Sequence, residues 1–225
     1  MDDIQRFLRN PPRFMRNNHV RYCGVNPEGA GGTHKFVLLR IGASHARRRR
    51  VLFGMDLDKT DAGEFQIRIA TNGNYPYGAE LLGTFDAVWS GYAPRAAVRC
   101  ALVGWGADIM LTPELTGCTV VCAPQPNGGA YFSHYNLRYL HDDRTLMARD
   151  AIHQAAIDYP GSEHGVLPKE AYEARRKWRG SRARATVIGW RQGGAWTFWT
   201  QYVEEHDGKF HIRDVQQLRP GARYG

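Results

Sequence analysis

The sequence predicts a mixed α/β fold, a β-sandwich flanked by a few helices, and three observations predict it. The C-terminal third carries three runs of strand character, Ala185–Arg191, Ala195–Glu204 and Lys209–Val215, separated by the turn pairs Gly193-Gly194 and Asp207-Gly208. Glu64–Ala70 alternates strictly, with Phe65, Ile67 and Ile69 on one face and Gln66 and Arg68 on the other, which is the period of a half-buried strand. One helical stripe stands out: Ala148, Ala151, Ile152 and Ala155 fall at i, i+3, i+4, i+7 within Thr145–Asp158. At 225 residues the chain suits a single domain, 1–225, with a short basic N-terminal helix and arm over about 1–18.

Taken in order, Ile4, Phe7 and Leu8 are spaced as on a short helix over Asp2–Asn10. Pro11-Pro12 is expected to end it, leaving Arg13–Asn18 as a polar connector. His19–Cys23 reads as a strand. The Gly-rich Asn26–Thr33 lacks the Lys-Ser/Thr ending of a phosphate-cradling loop. Lys35–Ile41 and Val51–Leu57 are expected strands around a tip of four arginines, Arg47–Arg50. Asp56 and Asp58 share a face but lack further carboxylates at calcium-loop spacing. Asn72–Gly78 is a loop. Glu80–Ser90 is apolar without a clear period, and Ala96–Val103 reads as a buried strand or a helix turn leading to one. Asp142-Asp143 supplies helix-start chemistry for Thr145–Asp158, and Pro160-Gly161 stops that helix. A second helix is expected from Pro168 toward Trp178, with proline in its first turn.

A formal charge of +8 biases the surface toward acidic partners: an acidic protein face, nucleic acid or anionic lipid. Four cysteines, Cys23, Cys100, Cys118 and Cys122, are too few for a disulfide framework in a chain this long, so reduced thiols are expected. No apolar run approaches the ~20 residues that span a membrane. The N-terminal residues lack the apolar core of a cleaved secretory signal.

The chemistry concentrates in residues 112–135. Leu115-Thr116-Gly117-Cys118 leads into the extended run Thr119–Cys122. A Pro/Asn/Gly turn follows, and then a second extended run, Ala130–Tyr135, carries His134. A thiol becomes a nucleophile when a facing base or cation favours its thiolate, and an imidazole one strand away is a common way to supply that. Gly117 has no side chain to block a carbonyl approaching the nearby backbone N–H groups. In an extended run, Ala130, Phe132, His134 and Asn136 share one face.

This stretch resembles the Leu-Ser/Thr-Gly-Cys signature of the cytotoxic necrotizing factor catalytic domain and of Burkholderia lethal factor, both cysteine-dependent glutamine deamidase toxins. In those families a histidine follows beyond a Gly-rich turn, as His134 does here. The lethal factor also carries a functional threonine at the position held here by Thr112. The resemblance covers about residues 105–136. It implies a deamidase-toxin-like fold and a protein-glutamine amidohydrolase with Cys118 as nucleophile, His134 as base and Thr112 as its orienting partner. Gly117 and Thr116 would then border the oxyanion and substrate site. It further implies a thioester mechanism without metal or organic cofactor, and a secreted toxin or virulence effector acting in the cytosol of a target cell. The partner would be a protein carrying the modified glutamine; in the two families these are small GTPases and a translation initiation helicase.

Other readings stay open. The same residues suit a cysteine peptidase or an acyltransferase. Cys118, Cys122, His134 and His141 are a conceivable zinc set, although Cys-x3-Cys is looser than the usual knuckle. Arg175-Arg176-Lys177-Trp178-Arg179, with Arg182 and Arg184, interleaves cations and an aromatic ring as nucleic-acid-binding segments do, so a non-enzymatic basic module is the alternative from another class. Trp190, Trp196, Phe198 and Trp199 read chiefly as core.

Overall fold

The N-terminal segment shows how local chemistry overrides a simple breaker rule. In the computed structural model, α1 (Asp3–Arg9) is capped by Asp2, whose side chain accepts from Gln5 N at 2.9 Å. Asn10 then closes α1 and opens α2 (Pro11–Asn17), accepting from Arg13 N at 3.0 Å. Pro11 and Pro12 occupy the first helical positions, where the missing N–H groups would have had no partner anyway. The expected connector Arg13–Asn18 is therefore helix through Asn17, and Ile4, Phe7, Phe14 and Met15 are buried in the core.

The structure describes residues 1–24, 27, 31–41, 63–70, 75–93, 96–125, 128–136, 144–160 and 164–219. The expected strand Val51–Leu57, the arginine tip, Asp56, Asp58, His141 and Asp142-Asp143 lie outside these residues, as does half of the Gly-rich Asn26–Thr33.

Among the described residues the fold is mixed α/β and mostly sheet. The strands are β1 (Asn18–Tyr22), β2 (Thr33–Ile41), β3 (Gly63–Ile69), β4 (Ala79–Trp89), β5 (Ala97–Ala101), β6 (Ile109–Leu111), β7 (Thr119–Pro124), β8 (Ala130–Tyr135), β9 (Gly165–Leu167), β10 (Arg182–Gln192), β11 (Ala195–His206) and β12 (Lys209–Leu218). Two further helices are α3 (Arg144–Asp158) and α4 (Lys169–Glu173). A large sheet has the order β1-β3-β2-β4-β6-β10-β11-β12, and a smaller one β5-β8-β7-β9. The hairpin turns use glycine where φ is positive, at Gly193 and Gly194 (φ 59° and 82°), and Asp207 accepts φ 50° beside Gly208.

Alternation sorts the core into layers. On β6 and β10, Met110 and Val187 point into the cluster between the two sheets. Ile109, Leu111 and Ile188 join α1 and α2 on the other face of the large sheet. Phe132 of the small sheet stacks on Phe198 of the large one, centroids 5.5 Å apart, while Trp196 Nε1 donates to Leu102 O at 3.1 Å, so these late aromatics are core. The outer face of the small sheet receives α3 through Ala151, Ala155 and Tyr159; the Ser133 and Tyr159 hydroxyls bond there, and Tyr135 donates to Asp158 at 2.8 Å. Ile152, expected in the buried stripe, is 43% exposed. The layer order is thus helix, sheet, sheet, helix, and β1 meets β12 where His19 lies against Phe210. The helix expected toward Trp178 is only the single turn of α4 and gives way to a loop.

Candidate active site

The ends of four strands converge where the two sheets part. β6 is short but central, paired to β4 on one side and to β10 on the other, which requires close approach: a Cβ on Gly189 would sit 2.9 Å from Met110 Cβ. Where β6 ends, Thr112 is buried, 1% exposed. Ser90, following β4, is held alongside by its N–H donating to Leu111 O at 2.8 Å.

His134 sits near the end of β8, opposite Val120 on β7 and Val98 on β5. It is 1% exposed. Thr112 Oγ1 lies 3.3 Å from His134 Nδ1, and Nε2 has no hydrogen-bond partner. The Tyr92 ring lies against the imidazole, centroids 5.3 Å apart, and its hydroxyl accepts from Asn136 Nδ2 at 2.8 Å. Burial lowers the His134 pKa to about 4, so the ring is neutral at ordinary pH.

Cys118 immediately precedes β7. Paired residues of an antiparallel ladder share a face, so continuing the Val120↔His134 register places Cys118 on the His134 face, diagonal to it. It packs against the inter-sheet core and is partly exposed. No hydrogen bond joins its sulfur to the imidazole. Burial raises its thiol to about 11, opposed by the cation of Lys169. Lys169 itself is buried and paired with Glu173 at 3.0 Å. Cys122, on the same face, is sealed in the core with Sγ 3.8 Å from Leu218 O, and burial pushes it to about 12. No group of three or more metal-ligating side chains occurs among the described residues.

The loop before Cys118 is anchored at its base and open at its tip. Leu115 and Ala185 exchange backbone hydrogen bonds of 2.7 and 3.0 Å. Arg184 holds Glu114 at 2.6 Å and Glu205 through the same guanidinium. Tyr172 of α4 donates to Cys118 O at 3.2 Å. Thr116 and Gly117 are exposed, and nothing lies within 4 Å of where a Gly117 Cβ would be. Among the described residues, the N–H groups of Gly117 and Cys118 have no acceptor. The loop therefore presents free donors beside a thiol, the arrangement that can hold a developing oxyanion.

Tyr92, Glu114, Tyr172 and Arg184 were not singled out from the sequence as part of this site. Glu114 two residues past Thr112 was visible as a charge in an apolar lead-in, but its partner stands 70 positions away.

No family model matches the chain, and no curated protein matches it. Among solved structures, the chain is similar to the crystal structure of the C-terminal domain of CNFy from Yersinia pseudotuberculosis, with a TM-score of 0.42 and 10% identity over 96% of this chain and 99% of that one. At that level the likeness assigns no role to any residue.

Proposed function

We propose that this chain is a cysteine-dependent protein glutamine deamidase of the toxin or effector type. The observation that carries the reading is the Thr112–His134 contact: it occupies Nδ1 and leaves Nε2 without a partner on the sheet face that bears Cys118. With the threonine oxygen accepting from Nδ1–H, Nε2 is the basic nitrogen. The motif resemblance to the deamidase toxins supports the same assignment.

The thiol of Cys118 gives its proton to Nε2 as sulfur attacks the side-chain amide carbon of a target glutamine. The N–H groups of Gly117 and Cys118 hold the resulting oxyanion, and Thr116 borders the incoming amide. His134 returns the proton to the departing nitrogen, ammonia leaves, and a thioester remains. Water, deprotonated by His134, cleaves the thioester to give glutamate and the free thiol. No metal or organic cofactor enters these steps.

Burial raises the Cys118 thiol to about 11 and lowers the His134 imidazole to about 4, which leaves the proton on sulfur in the unliganded site. The resting pair is therefore neutral, and target binding must improve the ion pair, in keeping with an enzyme that acts only on a docked protein. The test is mass spectrometry of target-cell proteins, small GTPases and initiation helicases included, incubated with the wild-type chain and with Cys118→Ser. An NH2-to-OH exchange at a glutamine, with ammonia released by the wild type alone, is expected. Peptide fragments instead would make the chain a peptidase, and equal exchange by the serine variant would end the reading.

A further inference from the structure

The loop 174–181, between α4 and β10, is fixed from within by a buried carboxylate. Glu204, 1% exposed, accepts from Lys177 N at 3.1 Å, Trp178 N at 2.8 Å, Arg213 Nε at 2.6 Å and the Ser181 hydroxyl. Burial alone would raise its pKa, but these donors bring it to about 2. Trp178 is clamped as well. It stacks on His206 at 5.0 Å, meets His211 edge-on at 4.5 Å and has the Arg213 guanidinium 3.9 Å from its ring. What this frame turns outward is Lys177, Arg179 and Arg182, all exposed. None of the three has a carboxylate partner among the described residues; of the neighbouring acids Glu205 is taken by Arg184 and Glu173 by Lys169 at 3.0 Å, while Asp207 is exposed with the His206 ring 3.4 Å away. An open cavity of about 380 Å³, lined by Arg179, Arg182, Glu205, His206 and Asp207 among others, lies between the loop and the β11–β12 turn.

We propose that this rigid cationic loop docks an acidic stretch of the same protein whose glutamine reaches Cys118, an inference that rests on the deamidase reading. Three exposed cations on one loop, none of them ion-paired among the described residues, face a single acid without a Lys or Arg partner, Asp207, and an anionic partner relieves the excess positive charge. A nucleic acid fits less well, because Trp178, the loop's aromatic ring, is already covered by His206, His211 and Arg213 and cannot stack a base. The reach is right for one polypeptide. Leu115 and Ala185 are antiparallel bridge partners, so the path from Arg182 along β10 to Ala185, across to Leu115 and back to Cys118 doubles on itself; its ~25 Å, at ~3.3–3.6 Å per residue, is an upper bound, and the span is at most about seven extended residues of target.

The test uses the full chain as Cys118→Ser and two fluorescein-labelled peptides of equal length. Each has a central glutamine, with either a tetraglutamate or a tetraserine block at that offset. At low salt the acidic peptide is expected to bind on the order of tenfold more tightly, with the preference lost in high salt and in Arg179→Glu/Arg182→Glu. A lysine-block peptide should regain binding to that double variant. Equal affinity of wild-type loop for both peptides, which needs no mutant to fold, overturns the proposal. So does displacement of the acidic peptide by single-stranded RNA at lower concentration than by free polyglutamate. The two claims fail separately: selective binding without ammonia release by the Cys118 form removes the chemistry and keeps a docking loop, whereas release indifferent to the acidic block removes the loop and keeps the chemistry.

Discussion

His19 and His134 occupy nearly the same physical situation in two regions of the molecule, and the small difference between them separates packing from chemistry. Both are buried, 2% and 1% exposed. Both lie against an aromatic ring, Phe210 at 4.5 Å and Tyr92 at 5.3 Å. Both are held neutral, His19 near 3 by burial with help from Arg21 and Arg184, His134 near 4 by burial. Yet both nitrogens of His19 are without hydrogen-bond partners, while one nitrogen of His134 is taken by a hydroxyl. Burial makes an imidazole neutral anywhere in a core. Only a partner on one nitrogen tells the other where to act; a partly exposed thiol stands on the strand face of each histidine, Cys118 for His134 and Cys23 for His19, so the hydroxyl on Nδ1 is what sets His134 apart.

The widest separation between the two should appear on exchange for phenylalanine, which fills similar space and removes both nitrogens. Under the proposed mechanism His134→Phe is expected to lower ammonia release by at least ~10³-fold, since it would remove the general base for both halves of the reaction. His19→Phe should leave the rate within about twofold, because its ring is not part of the seam between β6 and β8. Ammonia release under saturating target protein is the measurement. A comparable loss in both variants would mean that packing, not base catalysis, explains the sensitivity of buried histidines here.

Acid stability treats the two alike and so tests the shared half of the comparison. The unfolded chain protonates its histidines near 6.5, whereas folded His19 and His134 do so only near 3 and 4. Between pH 6.5 and about 4 the unfolded state binds more protons, so stability is complete above 6.5 and falls as the pH drops. Each histidine contributes on the order of a few kcal/mol to that fall. Glu204 works over a lower window: its stabilisation is present above 4.5 and is lost toward about 2. Urea midpoints measured from pH 7.5 to 4.5 should be flat down to about 6.5 and then slope downward in the wild type (about two units, each ~1.4 kcal/mol per histidine at full linkage), and less steeply in His19→Phe. An unchanged slope would show that His19 is already protonated or hydrated in the fold.

How far these features were legible in the sequence follows from distance along the chain. The β7–β8 hairpin and the three C-terminal strands were readable because glycine turns and strand runs are local signals. Cys118 and His134 were singled out as candidates because they lie within one stretch, and Thr112 through the motif resemblance; the hydroxyl-to-imidazole contact is a property of how β6 enters the seam. The neighbours that shape the site are remote: Tyr92 arrives from the far end of β4, and Arg184 reaches Glu114 across 70 positions. Nor could His19 be told from His134 by type or burial, since beyond Arg21 its neighbours, Arg184 of β10 and Phe210 of β12, are remote in sequence. Two local misreadings have physical causes. Asn10 was a cap in plain view, but Pro11-Pro12 read as a breaker when two prolines fit the first turn of α2. Ile152 completed an apolar stripe, yet α3 rests on the small sheet through Ala151 and Ala155 and leaves it outside.

The finest test makes His134 resemble His19 in hydrogen bonding alone. Thr112→Val keeps the shape and the burial of the side chain but removes the oxygen 3.3 Å from Nδ1. The imidazole then has neither nitrogen engaged, as at His19, and both tautomers become accessible. A base present in the wrong tautomer part of the time, and free to tilt against Tyr92, should act more slowly without binding target less well. The expected result is a fall in kcat of roughly tenfold, a fraction of the ~10²–10⁴ that general base catalysis supplies, with KM little changed. Leaving a buried nitrogen unpaired should also cost about 1–3 kcal/mol of stability, read from the urea midpoint. Thr112→Ser restores the hydroxyl and should restore most of the rate, although it leaves a methyl-sized gap. If valine and serine lower kcat equally, the threonine serves only as packing, and the orientation of His134 must come from the Tyr92 ring.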